Sequence, residues 1–202
     1  GRRPKLLLRS SWQTVNIGDI AHTFGFLRLI QNEFPQVEVT LWPICIDRGV
    51  SEALSVHFPE VAVVQGVLDE DKGASTLELA EALEQADLLV HGSGPSVVAW
   101  PDLLQWKRLT GKPYIIFGVT VDPLVPDYLG HYEGGNLEEL KIHLESVEFQ
   151  AARDENLREV ISGAAAVYCR DLLSLRYLER MNWLKGLSGL GPDATFACDL
   201  RD

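Results

Sequence analysis

The sequence predicts an α/β domain built on a doubly wound, mainly parallel sheet with helices on both faces. Three observations predict it. Short apolar runs alternate with helix-length amphipathic segments, the rhythm of successive βαβ units. Runs such as Leu6-Leu7-Leu8 and Tyr114-Ile115-Ile116-Phe117 are apolar at consecutive positions, as strands covered on both faces must be. Hydrophobic residues are 46% of the 202-residue chain and charged residues 23%, enough to bury a substantial core.

The elements follow in order. Lys5–Arg9 reads as a strand, Asp19–Phe34 as a helix, and Val37–Trp42 as a second strand stopped by Pro43. Val50–His57 is a short helix and Val61–Val64 a third strand. Thr76–Gln85 is helical, with Thr76 placed as a cap. Asp87–His91 is a fourth strand, Ala99–Leu109 a helix and Pro113–Val119 a fifth strand. The stretch Asp122–Gln150 breaks the rhythm with Pro123, Pro126, Gly130, Gly134 and Gly135, and reads as a loop plus one acidic helix, Asn136–Gln150. Glu155–Ser162 (helix), Ala165–Cys169 (strand), Asp171–Met181 (helix) and Ala194–Cys198 (strand) complete the pattern.

Charge and cysteine usage narrow the function. With 18 Lys+Arg against 29 Asp+Glu the net charge is -11, so the surface repels a polyphosphate and nucleic-acid binding is not expected. A single small anion stays compatible, since a few local cations and backbone N–H groups outweigh screened distant charge. Cys45, Cys169 and Cys198 are odd in number, without paired metal-ligand spacing, and read as small hydrophobes in a reducing compartment. Asp19, Asp122, Asp171 and Asp193 are scattered at loop starts, so no metal site is expected. The apolar runs are strand-sized, and no transmembrane segment is expected. The chain begins at Gly1, so a start residue and any targeting peptide are expected to have preceded it.

In an open parallel sheet ligands bind outside the carboxyl ends of the strands, which selects four loops. Ser10–Asp19 is small and polar. Asn16, Gly18 and Asp19 suit either a ligand-facing turn or a plain helix cap, and no Walker Gly-Lys-Ser/Thr is present. His91-Gly92-Ser93-Gly94 is a tight turn able to cradle an anion, but its glycine spacing is not that of a serine nucleophile elbow. His91 is either a ligand-facing acid–base group or a buried, hydrogen-bonded one. Asp122 contacts a sugar hydroxyl or starts a turn before Pro123. Arg170 offers a cation to a carboxylate or phosphate, or pairs with an Asp to fix the turn, and Asp171 reads as a helix cap.

Taken together these loops resemble the polysaccharide pyruvyl transferase family. The resemblance rests on Asn16-Ile17-Gly18-Asp19, on the strand and turn Ala86–Gly94, on the helix start Arg170-Asp171-Leu172-Leu173-Ser174 through Leu178, and on Pro192-Asp193-Ala194-Thr195-Phe196. It implies the Rossmann-like N-terminal half of a GT-B-like architecture, residues 1–202 forming one domain and a second, C-terminal domain missing. It further implies transfer of a pyruvyl group from phosphoenolpyruvate to a saccharide hydroxyl as a ketal, with phosphoenolpyruvate as co-substrate and no other cofactor. His91 and Asp19 become the candidate catalytic groups. Asn16, Gly18, Gly92, Ser93, Gly94, Asp122, Arg170 and Asp171 become the candidate substrate contacts. A cytoplasmic or membrane-peripheral enzyme of exopolysaccharide or cell-wall synthesis is expected, the isolated domain being a poor catalyst. Two alternatives stay open: a non-catalytic carbohydrate- or nucleotide-binding module, and a glycosyltransferase half using a nucleotide sugar.

Overall fold

The computed structural model describes residues 1–121 and 155–198. Strand β1 (Lys5–Ser10) leads into helix α1 (Ile17–Glu33), and β2 (Glu38–Pro43) into α2 (Val50–His57). After β3 (Ala62–Val63) comes a small antiparallel hairpin, β4 (Leu68–Asp69) and β5 (Gly73–Ala74), and then α3 (Leu77–Gln85). The chain continues through β6 (Leu88–His91), α4 (Trp100–Thr110) and β7 (Tyr114–Val119). Beyond residue 154 follow α5 (Glu155–Gly163), β8 (Ala166–Cys169), α6 (Leu172–Arg180), β9 (Leu187–Leu190) and one 3-10 turn, Ala194–Ala197.

The main sheet has seven strands in the order β3-β2-β1-β6-β7-β8-β9, and every pairing is parallel. The doubly wound parallel sheet expected from the sequence is therefore what the chain forms. Strand order runs outward from β1 to β3, then returns to β6 on the other side of β1, so the topological switch point lies between β1 and β6. There Leu8 pairs with Val90 and Arg9 with His91.

Consecutive apolar residues serve opposite layers. Leu7, Leu89 and Ile116 pack with Leu79 of α3, Leu103 and Trp106 of α4, Val160 of α5 and Leu178 of α6. Leu6, Leu8 and Val90 pack instead with Phe24 and Leu27 of α1 and Leu54 of α2. Each such buried side chain stabilises the fold by about 1.5–3 kcal/mol relative to exposure. Two expectations need correction. Ala194–Cys198 is not a strand: Asp193 caps a 3-10 turn there by accepting the Thr195 N–H at 3.0 Å. The last strand is instead Leu187–Leu190, whose Ser188 and Gly189 interrupt the apolar run. The Asp122–Gln150 stretch, with its proposed helix, lies outside the described residues.

Candidate functional site

At the switch point the end of β1 is held in an unusual shape. Ser11 adopts a left-handed backbone (φ 62°), at a cost of order 1–3 kcal/mol for a non-glycine residue. It is repaid by contacts to the end of β2: Ser11 Oγ donates to the Cys45 carbonyl at 2.6 Å, and the Ser11 carbonyl accepts the N–H groups of Ile44 and Cys45. The turn sends Trp12 across the crevice between β1 and β6. Its indole N–H donates to the Ser93 carbonyl at 2.8 Å, and its ring lies 4.6 Å from the His91 ring.

The turn after β6 is knitted into the protein. His91 is fully buried. Its Nδ1 lies 2.8 Å from the Gly92 carbonyl and its Nε2 accepts the Ala99 N–H at 3.1 Å, which places the single ring proton on Nδ1. Burial pushes its pKa down to about 3, against the pull of the Gly92 carbonyl, so the imidazole is neutral. The Gly92 N–H is spent on the Arg9 carbonyl and the Gly94 N–H on Gly118. A Cβ on Gly92 would stand 2.7 Å from Ser10 Oγ, and one on Gly94 equally close to Trp12 Nε1. Packing alone therefore accounts for both glycines. Ser93 is fully buried, and its hydroxyl accepts the Ala194 N–H at 3.3 Å.

A second group of side chains meets where α1 passes the ends of β7 and β8. Asp19 and His22 lie three residues apart on α1 and so share a face. Gln13 donates to Asp19, and His22 Nε2 is 4.0 Å from the Asp19 carboxylate. On its other side His22 Nδ1 approaches Asp193 Oδ1 at 2.8 Å, a charge contact without hydrogen-bond alignment. Asp193 also faces Arg170 at 3.4 Å, and Arg170 Nε donates to Thr120 Oγ1 at 2.6 Å. Burial raises the Asp193 carboxyl, but the Thr195 N–H, His22 and Arg170 together outweigh it and hold the pKa below the ordinary carboxylate value. Loops after β1, β7, β8 and β9 thus converge on one rim carrying two carboxylates, an imidazole and a partly exposed guanidinium.

Residues 16–202 match the family model described as polysaccharide pyruvyl transferase. The chain belongs to the polysaccharide pyruvyl transferase family. No curated protein matches the sequence. A crystal structure of UDP-N-acetylglucosamine 2-epimerase is similar with a TM-score of 0.54 at 12% identity, over 99% of this chain and 52% of that one. A UDP-glucose:anthocyanidin 3-O-glucosyltransferase solved with UDP gives 0.52 at 11% identity, over 95% and 54%. This family member thus spans about half the length of each. Likeness at such identities establishes the fold alone, a Rossmann-like parallel sheet flanked by helices.

In this pyruvyl transferase family chain the motif residues have visible structural work. Asn16 caps α1, its side chain accepting the Gly18 N–H at 2.9 Å, and it is exposed with Gly18 half-buried beside it. Asp171 caps α6: it accepts both the N–H and the hydroxyl of Ser174, each at 2.7 Å. The Ser174 hydroxyl in turn accepts the Val121 N–H at 2.8 Å, which explains the Asp-x-x-Ser spacing. Asp122 lies outside the described residues. Sequence reasoning missed His22 and passed over Asp193. The signal for His22 was its helical spacing from Asp19; for Asp193 it was membership of the Pro-Asp motif. Among the described residues no group of three His, Cys, Asp or Glu could hold a metal ion, and no helix is long and apolar enough to cross a membrane.

Proposed function

We propose that this chain is the part of a polysaccharide pyruvyl transferase that receives phosphoenolpyruvate at the rim formed by Arg170, Asp193, His22 and Asp19. The observation that carries the reading is Arg170: it is anchored through Nε to Thr120 and contacts Asp193 only at 3.4 Å, so its outer edge remains available to a carboxylate or phosphate. In the transfer a proton reaches the methylene carbon of the enol, two acceptor hydroxyl oxygens bond to the central carbon, and the bond to the phosphate oxygen breaks. Of the two hydroxyl protons, one balances the carbon protonation and the other leaves with phosphate. In this reading Asp19 and His22 exchange such protons, His22 lying between the carboxylates of Asp19 and Asp193. Ser93 holds the segment after Asp193 through the Ala194 N–H, while Asn16, Gly18 and Asp171 set the helix starts and His91, Gly92 and Gly94 shape the neighbouring turn. A contact from Asp122 to a sugar hydroxyl belongs to the same proposal.

Calorimetric titration with phosphoenolpyruvate tests it. Loss of one charge-assisted contact in Arg170→Ala is expected to weaken binding about tenfold or more. Unchanged affinity removes Arg170 from the site. Saturable binding of nucleotide sugars with no binding of phosphoenolpyruvate assigns the rim to a different donor.

A further inference from the structure

The same sheet edge carries a cleft that the transfer chemistry above does not use. It occupies ≈ 730 Å³ outside the ends of β1, β2 and β3, within the range of roughly 300–1,000 Å³ common for small-molecule sites. Arg9 lines it, but that guanidinium is already answered: Nε pairs with Asp102 at 2.7 Å, Nη1 donates to the Trp42 carbonyl at 3.1 Å, and the group lies over the Trp42 ring. Ile44, Ile46 and Val67 supply apolar wall. The polar groups are the Asp47 carboxylate, the Ser51 hydroxyl and the Gln65 side-chain amide, and the last two make no side-chain hydrogen bond among the described residues.

We infer that this cleft binds a neutral, hydroxyl-rich ligand, a sugar unit, with Asp47, Ser51 and Gln65 exchanging hydrogen bonds with its hydroxyls while Ile44, Ile46 and Val67 meet its C–H faces. The inference rests on the transferase reading, for which it supplies the acceptor's place. Charge argues against an anion. Hydrogen bonds from Thr14 and Cys45 hold the Asp47 carboxyl below its ordinary value, so it is ionised. Arg48, 3.9 Å from Asp47, does no more than offset it. A lone carboxylate is also too few ligands for a divalent cation. The cleft is joined to the transfer site by the β1–α1 loop, in which Thr14 hydrogen-bonds Asp47 and the preceding Gln13 hydrogen-bonds Asp19.

Cys45 lines the cleft with its thiol 3.0 Å from Asp47, and so reports on occupancy. The experiment alkylates the protein with iodoacetamide in the presence of lactose, maltose or chitobiose, and follows Cys45 by peptide mass mapping so that Cys198 is not counted. At least one disaccharide is expected to slow Cys45 modification saturably, by about fivefold or more at high occupancy. Ser51→Trp, which fills the cleft from an exposed position, is expected to abolish that difference. Phosphoenolpyruvate and inorganic phosphate are expected to leave the rate unchanged. Protection by none of the three sugars overturns the inference, as does equal protection by phosphate or phosphoenolpyruvate, or sugar protection that survives Ser51→Trp. Failure of the donor reading is seen separately, in the phosphoenolpyruvate titration of Arg170→Ala, which involves no cleft residue.

Discussion

His91 is a titratable group whose pKa the fold moves far from its ordinary value, and the consequence is an acid-sensitive protein. In the unfolded chain the imidazole takes a proton below about pH 6.5, whereas in the folded protein burial delays this to about 3. The unfolded state therefore binds more protons through that window, and stability falls as pH drops, by at most about 1.4 kcal/mol per pH unit from this residue. Asp193 adds a loss of the same sign at lower pH: its depressed folded pKa contributes stability present above the unfolded carboxylate value and lost as pH falls through the folded one. Urea denaturation between pH 7 and about 4.5 isolates the histidine, and His91→Gln is expected to flatten that part of the profile. An unchanged slope in the variant would assign the acid loss elsewhere. The position of His91 at a strand end was legible in the sequence. Its burial was not, because that depends on Trp12 and on the Ala99 N–H, which only the folded chain brings to the ring.

Between elements, a close contact returns the segment after β9 to α1. Gly25 lies inside α1, where a glycine costs about 1 kcal/mol relative to alanine. A Cβ there would stand 1.7 Å from the Ala194 carbonyl oxygen, a backbone atom that cannot yield without moving the 3-10 turn. Gly25→Ala is therefore expected to reverse the helix-propensity gain and destabilise by about 2 kcal/mol. If the rim receives phosphoenolpyruvate as proposed, the variant should bind it more weakly as well, since Asp193 immediately precedes the turn. Thermal unfolding checks the sign: a variant more stable than the parent would show that α1 and the turn do not meet so closely. Strands with unbroken apolar runs were readable in advance, as were α2 and the Thr76 cap, whose hydroxyl accepts the Leu79 N–H at 3.2 Å. Strand β9 was not, because Leu187-Ser188-Gly189-Leu190 earns its place only by pairing with β8. The Ala-Thr-Phe-Ala run looked strand-like, but Asp193 winds it into a turn, leaving Phe196 87% exposed.

At the largest scale, the sheet is tied to its helical layer by a buried ion pair as well as by apolar packing. Arg9 on β1 and Asp102 on α4 have side chains only 9% and 15% exposed. Burial lowers the Arg9 pKa and Asp102 pulls it back, so removing the acid leaves a desolvated cation without its partner. Asp102→Ala is expected to cost about 3–5 kcal/mol in urea unfolding. Glu70→Ala, which breaks the exposed pair with Arg108, should cost far less. Similar losses in the two variants would remove the special status of the buried pair. At this scale the layer order and parallel topology followed from the alternation of strand and helix periods. The carboxyl-end rule selected the loops after β1, β7 and β8 that meet at the rim, but it also selected the turn after β6 and not the segment after β9 that brings Asp193. The role of Arg9 did not follow from the sequence, since an arginine at a strand end looks solvent-bound until the helix opposite supplies Asp102.

The indole of Trp12 has a consequence for traffic at this edge. It bridges the loops after β1 and β6 at the central gap that a doubly wound sheet ordinarily leaves for guests, so the two proposed berths, beside Arg170 and above Arg9, lie on either side of the switch point. On that reading, molecules held in the two proposed berths would come together across this one aromatic ring.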